Sequence, residues 1–278
     1  MSVEDSIVHL ACASGTEGQP GTVTEHTSVD LPPGIVLHQR IQKKEEFSKL
    51  VATGLSLLKH KPSTVVLGLP AGLVLTLAKT GLTESPTAKK PLASLVSEAI
   101  PLPAEKLQIK DQWNAPSGKN PGVWSCVAIE HDVLEEYKAA LKGAGLSSVK
   151  VVPLSLAFLA VHASSATVDQ PTLVLNLTTH PGSIMRGSRS IMLDERLLFD
   201  ATLEESLTET LETWAALLPK ETKTSMIALG DEAKTKALLT KILAKNPSVS
   251  LTTKQGDEWT YAAMLASAEL AKPSLPSF

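Results

Sequence analysis

Seven histidines, two cysteines and several glycine-flanked serines are the side chains in this sequence best suited to chemistry. Histidines make a metal centre when two or more recur at ligand spacing. His9, His26, His38, His60, His131, His162 and His180 show no such pairing, so each reads as an isolated loop or surface residue. Ser14, Ser183 and Ser188 stand beside glycines, but none lies in the G-x-S-x-G elbow that exposes a nucleophile at a strand-to-helix turn. Cys12 and Cys126 are far apart and lack ligand spacing, which argues against a disulfide framework or a zinc site and makes a reducing compartment the default. Cys126 falls within an apolar run and reads as an inert core residue. No catalytic constellation emerges, and binding is the chemistry left. The apolar strand Leu73–Leu77 and the helix Leu92–Ile100 are candidates for a peptide groove, where backbone pairing gives affinity and small apolar pockets give selectivity. The same residues would also serve a core. The acidic run Glu204–Glu212 reads first as a solvated helix face and second as a docking face for a basic partner.

The elements that would carry these residues follow from composition and periodicity. The chain has 278 residues, 43% hydrophobic but only 4% aromatic, so its core must be built from Leu, Val, Ala and Ile, which suits layered α/β packing. A formal net charge of −3 provides no basic surplus for nucleic acid. No run reaches the roughly 20 apolar residues that span a bilayer, and the N-terminus lacks a basic signal-peptide region, so direct membrane insertion is not expected. A first strand is expected over residues 6–13, followed by a polar hairpin or loop over Ser14–Asp30. Ile35–Ile41 reads as extended, Lys44–Lys59 as a helix, Thr64–Leu69 as a buried strand and Thr80–Pro91 as an exposed loop.

A helix from Leu92 stops at Pro101 and Pro103. Lys106–Trp113 and Val123–Glu130 form two strands around a Gly/Pro connection. Asp132-Val-Leu-Glu135 has the pattern of a capping box and opens a helix. A Gly-Ala-Gly turn, the strand VKVVP and the helix LSLAFLAVHA follow. The pattern then restarts with a strand at Thr172–Thr178, two short strands in Ser183–Phe199 and an amphipathic helix from Leu203, preceded by the capping-box sequence Thr202–Glu205. Ser225–Leu229, Ala233–Lys245, Ser248–Thr252 and a final helix near Glu258–Ala271 complete two α/β halves that meet near residues 165–171.

The order of these elements, and TVVLGLPAGLVL, LASLVSEAIPLPAEKLQIKDQW and VAIEHDVLEEYKAALKGAGLSSVKVVPLSLAFLA within it, resembles the PilM family of type IV pilus assembly proteins, members of the actin-like ATPase superfamily. The upstream LPPGIV is similar to the loop before that family's first long helix, and the likeness is densest over residues 31–163. The cytoplasmic domain of the secretion-platform protein GspL shares the architecture. The resemblance implies an α/β, actin-like (ribonuclease-H-like) fold of two subdomain pairs around a cleft. It assigns residues 1–168 to a first half with a small β/α insertion near 75–151, and residues 169–278 to a second half.

It implies, too, an adaptor at the cytoplasmic face of the inner membrane. Such an adaptor grips the N-terminal cytoplasmic tail of a bitopic PilN-like protein and couples it to the pilus assembly ATPase or platform proteins.

An active superfamily member carries an Asp-x-Gly phosphate loop after the first strand of each half and a glycine turn at the adenosine. The first loop is expected at His9-Leu-Ala-Cys-Ala-Ser-Gly15, which lacks the carboxylate and has its glycine late. At Leu175–Gly182, Asn176 stands where the second acid belongs; an amide carbonyl can ligate Mg²⁺ but brings no charge. Ala228-Leu-Gly-Asp231 keeps one glycine, with Asp231 as a helix N-cap in the ordinary reading. Gly15, Asn176 and Gly230 are thus remnants of a nucleotide site, and the reading is a non-enzymatic pseudo-ATPase scaffold without catalytic residues, metal or cofactor. The alternative is an active actin-like ATPase or kinase relative that binds ATP and Mg²⁺.

Overall fold

Two short antiparallel pairings set the first half. β1 (Ser2–Val3) turns through Glu4–Ser6 into β2 (Ile7–Ser14), and β2 pairs with β3 (Thr22–Asp30). The computed structural model describes residues 1–16, 22–60, 64–70, 72–100, 102–116, 122–163, 170–177, 182–188, 191–215, 224–244, 249–255 and 278. The final helix expected near Glu258–Ala271 lies outside the described residues. The chain continues through the hairpin β4 (Val36–Leu37) and β5 (Arg40–Ile41) to helix α1 (Lys44–Leu57), then β6 (Thr64–Leu69).

β7 (Val74–Leu82), α2 (Leu92–Ser97), β8 (Leu107–Asn114) and β9 (Gly122–Glu130) form a separate small unit. Helix α3 (His131–Gly143), β10 (Ser148–Pro153) and α4 (Leu154–His162) return to the first sheet. β11 (Thr172–Asn176), β12 (Gly182–Ser188), β13 (Ile191–Leu198), α5 (Leu203–Ala215), β14 (Thr224–Gly230), α6 (Glu232–Leu243) and β15 (Val249–Gln255) make the second half.

The two five-stranded sheets have one topology. The orders are β3-β2-β1-β6-β10 and β13-β12-β11-β14-β15. In each, the first three strands of the half form an antiparallel meander, and the remaining two run parallel to its first strand. The third sheet, β7-β9-β8, is antiparallel and folds around α2: Leu95, Val96 and Ile100 bury against Trp124, Cys126 and Ala128.

Helix α4 joins the halves. Leu154 to Ala160 are all buried, because the helix packs on β6 and β10 on one side and on β11, β12 and β13 on the other. A helix apolar all round its circumference has to be sandwiched in this way. One continuous core therefore runs from Phe47, Val51 and Tyr137 through Phe158 and Leu159 to Val174, Met185 and Met192. A second core lies on the opposite face of the second sheet, where Leu207, Leu211 and Trp214 of α5 and Leu239 and Ile242 of α6 cover Leu173, Leu175 and Met226.

Several expectations change. The first strand is Ser2–Val3, not residues 6–13, and Ser14–Asp30 holds a nine-residue strand. β7 extends to Leu82, into the stretch expected as loop. Asp132 sits inside the first turn of α3; the N-cap is Glu130, which makes no side-chain capping bond. Among the described residues, no helix is long and apolar enough to cross a membrane, which says nothing about crossing by strands.

Candidate functional site

The cleft between the halves collects polar side chains from the β4–β5 hairpin, helix α4 and strands β11, β12 and β13. From the first half come Pro70 and Gly72 after β6, Ser155 and Phe158 of α4, and Gln39 of the β4–β5 hairpin. From the second come Asn176 at the end of β11, Ser183 and Met185 on β12, and Glu195 and Leu197 on β13. Strand register explains the second set. Asn176 faces Ser183, Ser183 faces Leu197 and Met185 faces Glu195, so these side chains share the face turned toward α4.

Gln39 is held in place at a conformational cost. His38 and Gln39 have φ of 49° and 62°, the pair of left-handed residues that a two-residue hairpin loop requires. Neither is the Asn or Gly that usually occupies such positions, and each costs about 1–2 kcal/mol there. Compensating bonds surround them. The Asp5 carboxylate accepts the backbone N–H of His38 at 2.9 Å and of Gln39 at 2.7 Å. The Tyr137 hydroxyl, kept protonated by burial and by neighbouring Glu136, donates to the Gln39 carbonyl at 2.6 Å. Glu136 accepts the Ile41 N–H, and Arg40 stands 3.6 Å from both Glu130 and Glu136. A Cβ on Gly72 would come within 3.3 Å of the Gln39 side-chain oxygen, so the glycine leaves room for that amide.

Glu195 bridges the halves. Its Oε2 accepts a hydrogen bond from the Ser155 hydroxyl at 3.1 Å. Burial pushes its carboxyl up to about 7; the Ser155 bond opposes the shift and Asp194 adds to it. Asp194 points the other way, accepting from the Trp214 indole at 2.9 Å in the second core.

The three expected remnant positions fall unequally. Asn176 and Gly230 end adjacent parallel strands, with Leu177 N–H donating to the Leu229 carbonyl at 2.9 Å between them. Both glycines beside Asn176 permit close approach. A Cβ on Gly182 would sit 2.9 Å from the Asn176 carbonyl oxygen, and one on Gly230, at φ 155°, 2.9 Å from Thr235 Oγ1. Asn176 lines the cleft.

Gly15 does not join them: β2 runs away from the β1–β2 turn, and Gly15 follows its far end, exposed. His9 is not in a loop either; it is buried inside β2 with Nδ1 2.8 Å from Ser28 Oγ. The turn after the first strand is Glu4-Asp5-Ser6, which does carry carboxylates, but Asp5 is engaged by the β4–β5 hairpin. Because β1 precedes β2, the turn after the first strand lies one strand earlier than the sequence leads one to expect. Gln39, Ser155 and Glu195 lay outside the sequence expectation altogether.

The expected peptide-groove elements are partly consumed by packing. The apolar face of α2 is buried in the small sheet's own core. β7 is an edge strand lying against β13, and Leu75 remains 36% exposed there. Cys126 is buried, its thiol pushed up to about 12 by burial and Asp111, in keeping with an unreactive core residue.

No protein-family model matches the sequence, and no curated protein does. Solved structures do. A chain of the PilM–PilN type IV pilus biogenesis complex superposes with a TM-score of 0.73 at 16% identity, covering 98% of each chain. The cytoplasmic domain of EpsL, an inner-membrane component of the type II secretion system of Vibrio cholerae, superposes with a TM-score of 0.50 at 12% identity, covering 96% of each. At such identities the likeness is one of fold. That fold is the actin-like one, PilM-like in its full extent, and the repeated sheet topology agrees with it.

Proposed function

We propose that this chain is a non-catalytic scaffold of a type IV pilus-like or secretion machine, which holds the N-terminal cytoplasmic tail of a membrane-anchored PilN-like protein. The observation that carries the reading is the fold likeness to a chain of the PilM–PilN complex over 98% of both chains, small inserted sheet included. Such a scaffold works at the inner face of the inner membrane and reaches it through its partner. Coupling to an assembly ATPase or platform proteins belongs to the same reading.

The tail would be held beside the small sheet, where Leu75 offers apolar surface at a strand edge. Backbone pairing and one or two side-chain pockets suit an extended peptide. Loss of ATP chemistry is part of the proposal. Asn176 supplies no charge for Mg²⁺, Asp5 is committed to two backbone N–H groups, and among the described residues that line the cleft there is no cation to meet a phosphate.

Two titrations test this. A synthetic peptide copying the N-terminal cytoplasmic tail of a PilN-like protein should bind with a measurable heat. Leu75→Asp should weaken it about tenfold or more, since such an apolar contact contributes about 1–2 kcal/mol, with circular dichroism used to check that the variant remains folded. Failure of the tail to bind overturns the adaptor reading. Titration with ATP and Mg²⁺ should give no binding at millimolar concentration, and tight binding there overturns the pseudo-ATPase reading.

A further inference from the structure

We propose that the cleft is a receptor for an organic cation: an alkylammonium or guanidinium group seated on the Glu195 carboxylate and ringed by the neutral oxygens of Gln39, Ser155, Asn176 and Ser183. Each of these residues lines one cavity between the halves. Among the described residues of that lining, Glu195 alone carries a formal charge, and it is negative. Among the described residues, its carboxylate has one hydrogen-bond partner, the Ser155 hydroxyl on Oε2, and no cationic side chain is paired with it. Asp194, next along β13, adds to the negative potential.

A carboxylate removed from water and left without a counter-charge is unfavourable, and a cation entering the cavity relieves it. Burial makes Glu195 a weaker acid than an ordinary carboxyl, which agrees with an uncompensated site.

The neutral residues fit the same occupant. An ammonium has three donors and a guanidinium five, and neither accepts, so both need a shell of oxygen acceptors. The two hydroxyls and two amides provide acceptors, and Gln39 is rigidly presented because both its backbone polar groups are bonded. Preorganisation of this kind lowers the ordering cost of binding. Phe158, Met185 and Leu197 form an apolar wall that suits an alkyl stem. A triphosphate would meet the reverse: a carboxylate and no cation.

Such a group can come from a free amine or from an Arg or Lys side chain of a peptide, and the test separates them. The full chain is titrated calorimetrically with agmatine, with acetyl-Ala-Arg-Ala-amide, with the same peptide carrying citrulline, and with ATP and Mg²⁺. The measurements are repeated on Glu195→Gln, which can still accept the Ser155 bond. Agmatine binding that weakens at least about tenfold in the variant, as expected for a charge-assisted bond, supports a free-amine receptor.

Arginine-peptide binding lost both in the variant and with citrulline supports capture of a side chain. Should the variant fail to fold, the carboxyl ¹³C resonance of Glu195 in the native chain provides a second readout: its titration midpoint should drop when agmatine is added. Absence of binding by both cations overturns the proposal. Binding unaffected by Glu195→Gln together with an unmoved Glu195 resonance does so too. The scaffold reading concerns the small sheet and a different peptide, so either can fail alone.

Discussion

At the residue scale, Glu195 makes the stability of the fold depend on pH in an unusual direction. Its carboxyl titrates at about 7 in the folded chain, against an ordinary value of 4.5. The folded state therefore retains a proton that the unfolded state releases between those values, so this group lowers stability as pH rises from about 4.5 to about 7 and has no further effect above. The full difference is roughly 3 kcal/mol. Urea unfolding at pH 5, 6 and 8 should show this decline in the native chain, and Glu195→Gln should remove that component; an unchanged pH profile in the variant would contradict the assignment. Gly187 is another residue under clear constraint. A Cβ there would stand 2.4 Å from the Ile191 carbonyl oxygen and 2.8 Å from Leu159 Cδ1, at a bulge between Arg186 and Gly187. Gly187→Ala should cost about 1–3 kcal/mol, read as a lowered thermal midpoint, because backbone must move to admit the methyl group.

Among the elements, the β4–β5 hairpin gives the sharpest prediction. Asp5→Ala removes the acceptor for two N–H groups of a left-handed turn and should destabilise by about 1–2 kcal/mol. Adding His38→Gly should recover about 1 kcal/mol, since glycine adopts that φ without penalty; denaturant melts of the single and double variants measure both effects. This hairpin also illustrates what the sequence could convey. The elements between Ile35 and Ala163 were legible because long apolar runs carry clear periodicity and are punctuated by Pro and Gly. β3, TVTEHTSVD, was not, since its inward positions include Glu25 and Thr27 and no apolar alternation marks it. β1 is two residues long, below what any pattern can register, and missing it misplaced the first loop to Gly15. Asn176 and Gly230 could be placed at strand ends from the sequence because each closes an apolar strand. Gln39 carries none of the Asn-Gly chemistry that announces its turn, and Glu195, within LDERLL, reads as an ordinary surface charge.

On the scale of the whole molecule, the shared core decides how the halves behave. Phe47 and Val51 belong to the same cluster as Val174 and Met185, linked through α4. Leu159→Ala should therefore cost about 2–5 kcal/mol and lower the unfolding midpoint equally by far-ultraviolet circular dichroism and by the fluorescence of tryptophans, Trp214 of the second core among them. Two separated transitions would show that the halves fold independently. The repeated strand order points to the same unit used twice, yet among the described residues only the first half carries an inserted sheet, β7-β9-β8. A strongly coupled pair of halves is a stiff platform, and stiffness suits a molecule proposed to position a membrane protein's tail.

Helix α4 also bears on dissection of the gene. Its residues precede the second half in the chain, yet one flank of the helix packs on β11, β12 and β13. A fragment of residues 1–163 would present Leu156, Phe158, Leu159 and neighbouring side chains to water, and it should be recovered in inclusion bodies. Co-expression with residues 164–278 should return both pieces to the soluble fraction, because the second sheet would shield that flank in trans.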